Sequence, residues 1–178
     1  IRNSFVVGED QRAFRDLCRM RTKYSQHITQ AQNRIVKNLE RRNIKLRSVV
    51  SNMDTKSAMA IVGALAEGEN DVEKLVSLCK TKLKKKIPEM RKALQGVIKP
   101  HDRMMLKSLL DDVAHYRSQI EGIEKEIAKH TGKMNGELIA HLKEVKGIGP
   151  KSTEIILAEV GDNVDPFSSP DKLAAWVG

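Results

Sequence analysis

The chain has 178 residues, and 32 Lys and Arg against 23 Asp and Glu give it a formal net charge of +9. That length holds one domain, or a long helical part with a small module. The positive balance suits nucleic acid, and equally an anionic membrane surface or an acidic protein. Aromatics make up 3% of residues, too few for a base-stacking platform, and no apolar run approaches the ~20 residues of a membrane helix.

Residues 1–9 read as an extended lead-in. From Asp10 to about Leu46 there is no Pro or Gly, and apolar residues recur at Phe14, Leu17, Tyr24, Ile28, Ala31, Ile35 and Leu39. The gaps of three, four and seven mark one face of a long helix, which needs a partner to cover its stripe. Residues 47–54 read as a break with Asp54 as N-cap. A short helix is predicted from Thr55 to Ala66, stopped near Gly68, and another from about Asp71 to Leu83, opened by Asn70 and Glu73. Pro88 suits the first turn of a further helix ending near Gly96, and Lys99-Pro100 marks a boundary.

A second long helix is predicted from about His101 to His130. Leu109, Val113, Tyr116, Ile120, Ile123 and Ile127 alternate by four and three, a heptad seam. Gly122 sits off that seam and costs the helix about 1 kcal/mol relative to Ala. Residues 131–136 read as a joint. A helix from Glu137 to Val145 meets the turn KGIGP, and another follows from Lys151 to Val160 with Gly161 at its C′ position. Ser169-Pro170 caps a last short helix containing Leu173, Ala174 and Trp176.

The pattern predicts an all-α fold. It reads as a long antiparallel helical hairpin or coiled coil with short tip helices (1–136), followed by a small helix-hairpin-helix-like module (137–178). A parallel coil, or one formed between two copies, fits the seam equally well. Cys18 and Cys79 have no Cys or His partner at ligand spacing and read as free thiols of a reducing cytosol. No signal peptide is visible. A start at Ile1 and an end at Gly178, just after an amphipathic segment, read as an excised piece of a longer protein.

The most specific stretch is LKEVKGIGPKSTEIILAEV, Leu142 to Val160. Gly147 and Gly149 bracket Ile148 between two amphipathic helices. Glycines permit backbone conformations that a Cβ forbids and let a phosphate come close. Ile148 can plug between the helices. The amides opening the second helix carry the positive end of its dipole. Lys146, Lys151 and the Ser152 hydroxyl can add phosphate contacts. Such a loop holds a backbone and does not read bases. The alternative is a plain tight connection between packed helices.

Basic runs are weaker signals. Arg12, Arg15, Arg19, Arg34, Arg41 and Arg42 belong to a stretch between Gln11 and Val50 in which only Asp16 and Glu40 are acidic. They are candidate nucleic-acid contacts, against the alternative of a solvated helix face. Lys80, Lys82, Lys84, Lys85 and Lys86 form a second cluster. No catalytic constellation emerges. Asp111 and Asp112 point to different faces, the five histidines lack paired ligands, and Ser152 has no visible base. No metal site and no cofactor is expected in this chain.

The stretch KGIGPKSTEIILAEVGDNVDPFSSPDKLAAWVG, Lys146 to Gly178, resembles the C-terminal domain of the DEDD-type insertion-sequence transposases, a group that includes Piv-like DNA invertases. The shared features are the GIGP turn, a helix ending in Ala-Glu-hydrophobic-Gly-Asp, and a segment filled here by Phe167, Ser168, Ser169, Leu173, Ala174, Ala175 and Gly178. The stretches FRDLCRMRTKYSQHITQAQNRIVKNLE and NIKLRSVVSNMDTKSAMAIVGALAEG resemble the family's helical linker.

The resemblance implies a DNA recombinase of a bacterial or archaeal cytoplasm. An acidic-tetrad domain expected before Ile1 would hold Mg²⁺, and a serine nucleophile would follow Gly178. The linker would assemble a homo-oligomer on DNA, and some members use a guide RNA. No catalytic residue carries over to this chain, which would bind and assemble. A stand-alone helical accessory protein and a coiled-coil scaffold are the competing readings.

Overall fold

The computed structural model describes residues 8–161 together with 163, 169, 171, 172 and 175, the side chains of 81 and 82 excepted. The lead-in at 1–7, the segment around Phe167 and Ser168, and the helix expected at Leu173, Ala174 and Trp176 lie outside the described residues. Among the described residues the chain is helical, without strands. The helices are α1 (Glu9–Glu40), α2 (Lys56–Glu67), α3 (Val72–Ser77), α4 (Ile87–Ala93), α5 (Pro100–Thr131), α6 (Gly136–Glu144) and α7 (Pro150–Val160), with 3-10 turns at Leu46–Ser48 and Thr81–Lys86. None of them is long and apolar enough to cross a membrane.

The chain forms two compact units, Ser25–Arg117 and the pair Ile1–Tyr24 with Ser118–Gly178. In the first, Ala31, Ile35 and Leu39 of α1 share one core with Ile61 and Leu65 of α2, Leu75 of α3, Met90 of α4, and Leu106 and Val113 of α5. The short helices therefore carry the centre of that unit. In the second unit Phe14 and Cys18 of α1 pack with Ile123 and Ile127 of α5 and with Leu157 and Ala158 of α7. Each long stripe thus serves two cores. Burying a side chain such as Phe14, which is 0% exposed, stabilises by about 1.5–3 kcal/mol.

Helix α1 ends at Glu40, short of the expected Leu46. Asn43 takes φ 58°, the left-handed conformation that Asn tolerates at a helix C-terminus. The Ile44 amide then reaches back to the Leu39 carbonyl at 3.0 Å, and Ile44 is buried beside Leu39 in the core. Helix α2 is capped by Thr55, whose hydroxyl accepts from the Ala58 amide at 3.3 Å, so Asp54 is not the N-cap. Asp54 instead accepts from Gln32 Nε2 at 2.6 Å and pairs with Arg117. Gly68 closes α2 at φ 99°.

The helix predicted from 71 to 83 breaks in two. Asp71 caps α3, accepting from Glu73 N at 2.9 Å. Asn70 is committed elsewhere, its Oδ1 accepting from the Ile98 amide at 3.1 Å.

One buried ion pair holds the start of α5. Arg42 donates to both Asp102 oxygens, at 2.6 and 3.1 Å, and the Lys99 amide adds a bond at 3.1 Å. Burial pushes the Asp102 carboxyl up, but those donors outweigh it and hold it below the ordinary carboxylate value of about 4.

Two outcomes are expected. A Cβ at Gly96 would lie 1.8 Å from the Arg42 carbonyl oxygen, whereas one at Gly122 meets nothing within 4 Å. Gly96→Ala should cost about 1–3 kcal/mol and Gly122→Ala should gain about 0.5–1 kcal/mol; opposite shifts in Tm check both. Because the folded Asp102 titrates below its unfolded value, its contribution is complete above about pH 4 and is lost as pH falls through the lower folded value. Denaturant unfolding measured down the acid limb should show a shallower fall for Asp102→Asn than for the native chain, on top of a lower stability at neutral pH.

Candidate nucleic-acid interface

Helices α6 and α7 and the turn between them belong to the unit built on Ile1–Tyr24 and Ser118–Gly178. Asn135 caps α6, its Oδ1 accepting from Glu137 N at 3.0 Å and Leu138 N at 3.3 Å. Leu138, Ile139 and Leu142 of α6 pack on the cluster that contains Leu157 and Ala158 of α7. That packing sets the pair of helices side by side and leaves the connection at their end.

Val145 to Ile148 is a β-turn closed by the Ile148 amide donating to the Val145 carbonyl at 3.0 Å. Its third residue, Gly147, has φ 97°, the glycine position of a type II turn. The Gly149 carbonyl accepts twice from Thr153, from the amide at 2.9 Å and the hydroxyl at 3.2 Å. Thr153 is 1% exposed, so the start of α7 is pinned from inside. Gly149 is the N-cap of α7 and supplies no side-chain cap, and the first amides of a helix have no intrahelical acceptor.

Lys146, Gly147, Gly149, Pro150, Lys151 and Ser152 are all exposed. Ile148 is half-buried and stands outside the apolar cluster, so the helix angle is held by the α6 and α7 leucines.

The far end of α7 is held by α1. Gln11 Nε2 donates to the Leu157 and Ala158 carbonyls at 2.6 and 2.7 Å. Arg15 donates to the Ala158 carbonyl at 3.3 Å and the Glu159 carbonyl at 2.7 Å. Arg19 forks onto the Glu159 carboxylate with two bonds of 2.9 Å, and Arg21 pairs with Glu154. Between them lies Cys18, whose thiol burial pushes up to about 11 against the pull of Arg21, with Glu154 and Glu159 adding to the rise.

The structure divides the basic residues singled out in the sequence. Arg15 and Arg19 are engaged with α7, and Arg42 with Asp102. Arg12, Arg34 and Arg41 are exposed; Arg34 and Arg41 line a groove with Met104 and Met105. At the turn, Lys151 Nζ lies 3.0 Å from Glu124 of α5, while Lys146 has no acidic partner among the described residues. Sequence spacing carried no signal for Gln11, Glu124 or Glu159, because each partner is far away in the chain. Thr153, four residues beyond Gly149, was the one anchor with local spacing. Lys80 and Lys86 line a pocket with Lys56 and Leu83. Among the described residues no three His, Cys, Asp or Glu side chains gather as a metal site.

Two exposed lysines, Lys146 and Lys151, stand on either side of the glycines at the start of α7. No curated protein and no solved structure matches the chain. Residues 139–178, which contain most of α6, the turn and α7, match the family model described as Transposase IS116/IS110/IS902 family.

Proposed function

We propose that this chain is a DNA-binding and assembly part of a transposase that mobilises an insertion sequence, gripping the phosphate backbone at Lys146–Ser152. The observation that carries the reading is Gly149. Its backbone, φ −86° and ψ 174°, is one that any residue adopts, and a Cβ there would meet nothing within 4 Å. Neither conformation nor internal packing requires a glycine. Glycine is also a favoured N-cap, and without a Cβ it leaves the mouth of α7 open to an outside group.

A phosphate seated there faces the free first-turn amides and the helix dipole, with Lys146, Lys151 and Ser152 around it. These groups recognise a backbone and not bases, so binding is sequence-independent at this site. Glu124 competes with the phosphate for Lys151. The long helices α1 and α5 are proposed to bring copies of the chain together. The cutting and joining chemistry, with Mg²⁺ on an acidic tetrad, is assigned to other parts of the full-length transposase. We assign no catalytic residue here. A structured guide RNA offers the same anionic backbone and is the second nucleic-acid partner to be tried.

Gly149→Val should leave the circular dichroism spectrum unchanged and weaken duplex DNA binding roughly tenfold, about 1.4 kcal/mol. Lys146→Ala should lower affinity for all sequences alike and reduce the slope of log affinity against log salt by about one. Anisotropy titrations over a salt series, with duplex DNA and hairpin RNA in parallel, measure both. Unchanged binding by folded Gly149→Val, or a response to salt that is flat, overturns the grip.

A further inference from the structure

A second surface lies within the unit Ser25–Arg117, and the proposed DNA grip does not use it. A groove of about 590 Å³ runs between α1 and the first half of α5, lined by Arg34, Lys37, Asn38 and Arg41 on one side and by Met104, Met105 and Leu109 on the other. Met104 is 70% exposed and Met105 40%. Both line the groove, an apolar strip beside its basic wall. Asn38 is 5% exposed, lines the same groove, and its Nδ2 has no hydrogen-bond acceptor. The groove thus offers a thioether floor and a basic wall, with a buried, unpartnered Asn38 amide at its edge.

We propose that this groove docks an acidic amphipathic helix of a partner protein. The wall cations fall at positions i, i+3 and i+7 of α1, on one face over about 10 Å. A helix laid along α1 repeats its own side chains at the same interval. Its carboxylates meet Arg34, Lys37 and Arg41 while its apolar stripe covers Met104, Met105 and Leu109. Methionine floors accept such stripes readily because the thioether chain is flexible and polarisable.

Nucleic acid fits this groove less well. A phosphate strand gains nothing from a thioether floor, no aromatic ring is present to stack a base, and Asp112 lines the rim where it repels phosphate. Arg34 and Arg41 are on these grounds contacts for carboxylates.

The test uses the full chain and a fluorescein-labelled synthetic helix of roughly three heptads, with leucine at a and d and glutamate at the flanking positions. The same peptide with glutamine, and with lysine, in place of glutamate is run beside it, together with a duplex DNA. The acidic peptide should bind. Arg34→Glu with Arg41→Glu, and separately Met104→Ser with Met105→Ser, should each weaken it about tenfold. The lysine peptide should recover binding to the charge-reversed chain. All four positions are exposed, and circular dichroism confirms folding.

Failure of the acidic peptide to bind, or indifference to both double variants, overturns the proposal. So does loss of DNA binding in the charge-reversed chain while the peptide is unaffected, which makes the groove a nucleic-acid site. A change of mass by light scattering in the Met variant also overturns it, because the occupant is then a second copy. Gly149→Val serves as the independent control, since it touches the turn and not this groove.

Discussion

The end of α7 rests on a set of hydrogen bonds that a helix cannot make for itself. The last carbonyls of any helix lack intrahelical donors, and burying them unpaired costs about 1–3 kcal/mol each. Here the Ala158 and Glu159 carbonyls are met by Gln11 and Arg15 of α1, more than 140 residues away in sequence, and Gln11 also reaches the Leu157 carbonyl that the Gly161 amide caps. The arginine also places positive charge at the negative end of the α7 dipole. Because a helix is stiff, fixing one end aims the other. The exposed turn at Gly147 and Gly149 is positioned by side chains at the far end of α7.

Around that constraint the two long helices do double work. The α5 stripe gives Leu109 and Val113 to one core, and Ile123 and Ile127 to the other. Tyr116 and Ile120, between these pairs, are only half-buried. The α1 stripe divides in the same way, with Phe14 and Cys18 in one core and Ala31, Ile35 and Leu39 in the other. Both helices pass through the division between the units without a glycine or proline there to mark it.

How much of this could be read from residues alone depends on how local the cause is. Thr55 and Gly68 bracket α2 by caps that act within four residues, and the helix lies within two residues of its expected span. The KGIGP bend is equally local, since a positive φ at Gly147 needs only glycine. The end of α1 was missed because Asn43 adopts a conformation usually signalled by Gly, and the residues after it are good helix formers. The helix expected over 71–83 stops at Ser77, and Asn70, read as opening it, instead accepts from the Ile98 amide in a distant loop. The same limit governs the arginines. Counting acids between Gln11 and Val50 finds two, yet Arg15 and Arg19 meet Glu159, Arg21 meets Glu154 and Arg42 meets Asp102. A local charge surplus overstates what is left for a partner.

Burial of the two cysteines has a practical side. Cys18 and Cys79 are 3% and 2% exposed, and burial raises both thiols above their ordinary range. At neutral pH neither presents an accessible thiolate, the form that reacts with maleimides or disulfide reagents. Thiol reagents should therefore label both cysteines slowly in the folded chain. A single cysteine introduced on its surface becomes the faster attachment point for a fluorophore, a spin label or a cross-linker, with no need to strip the natural sulfurs from the cores first.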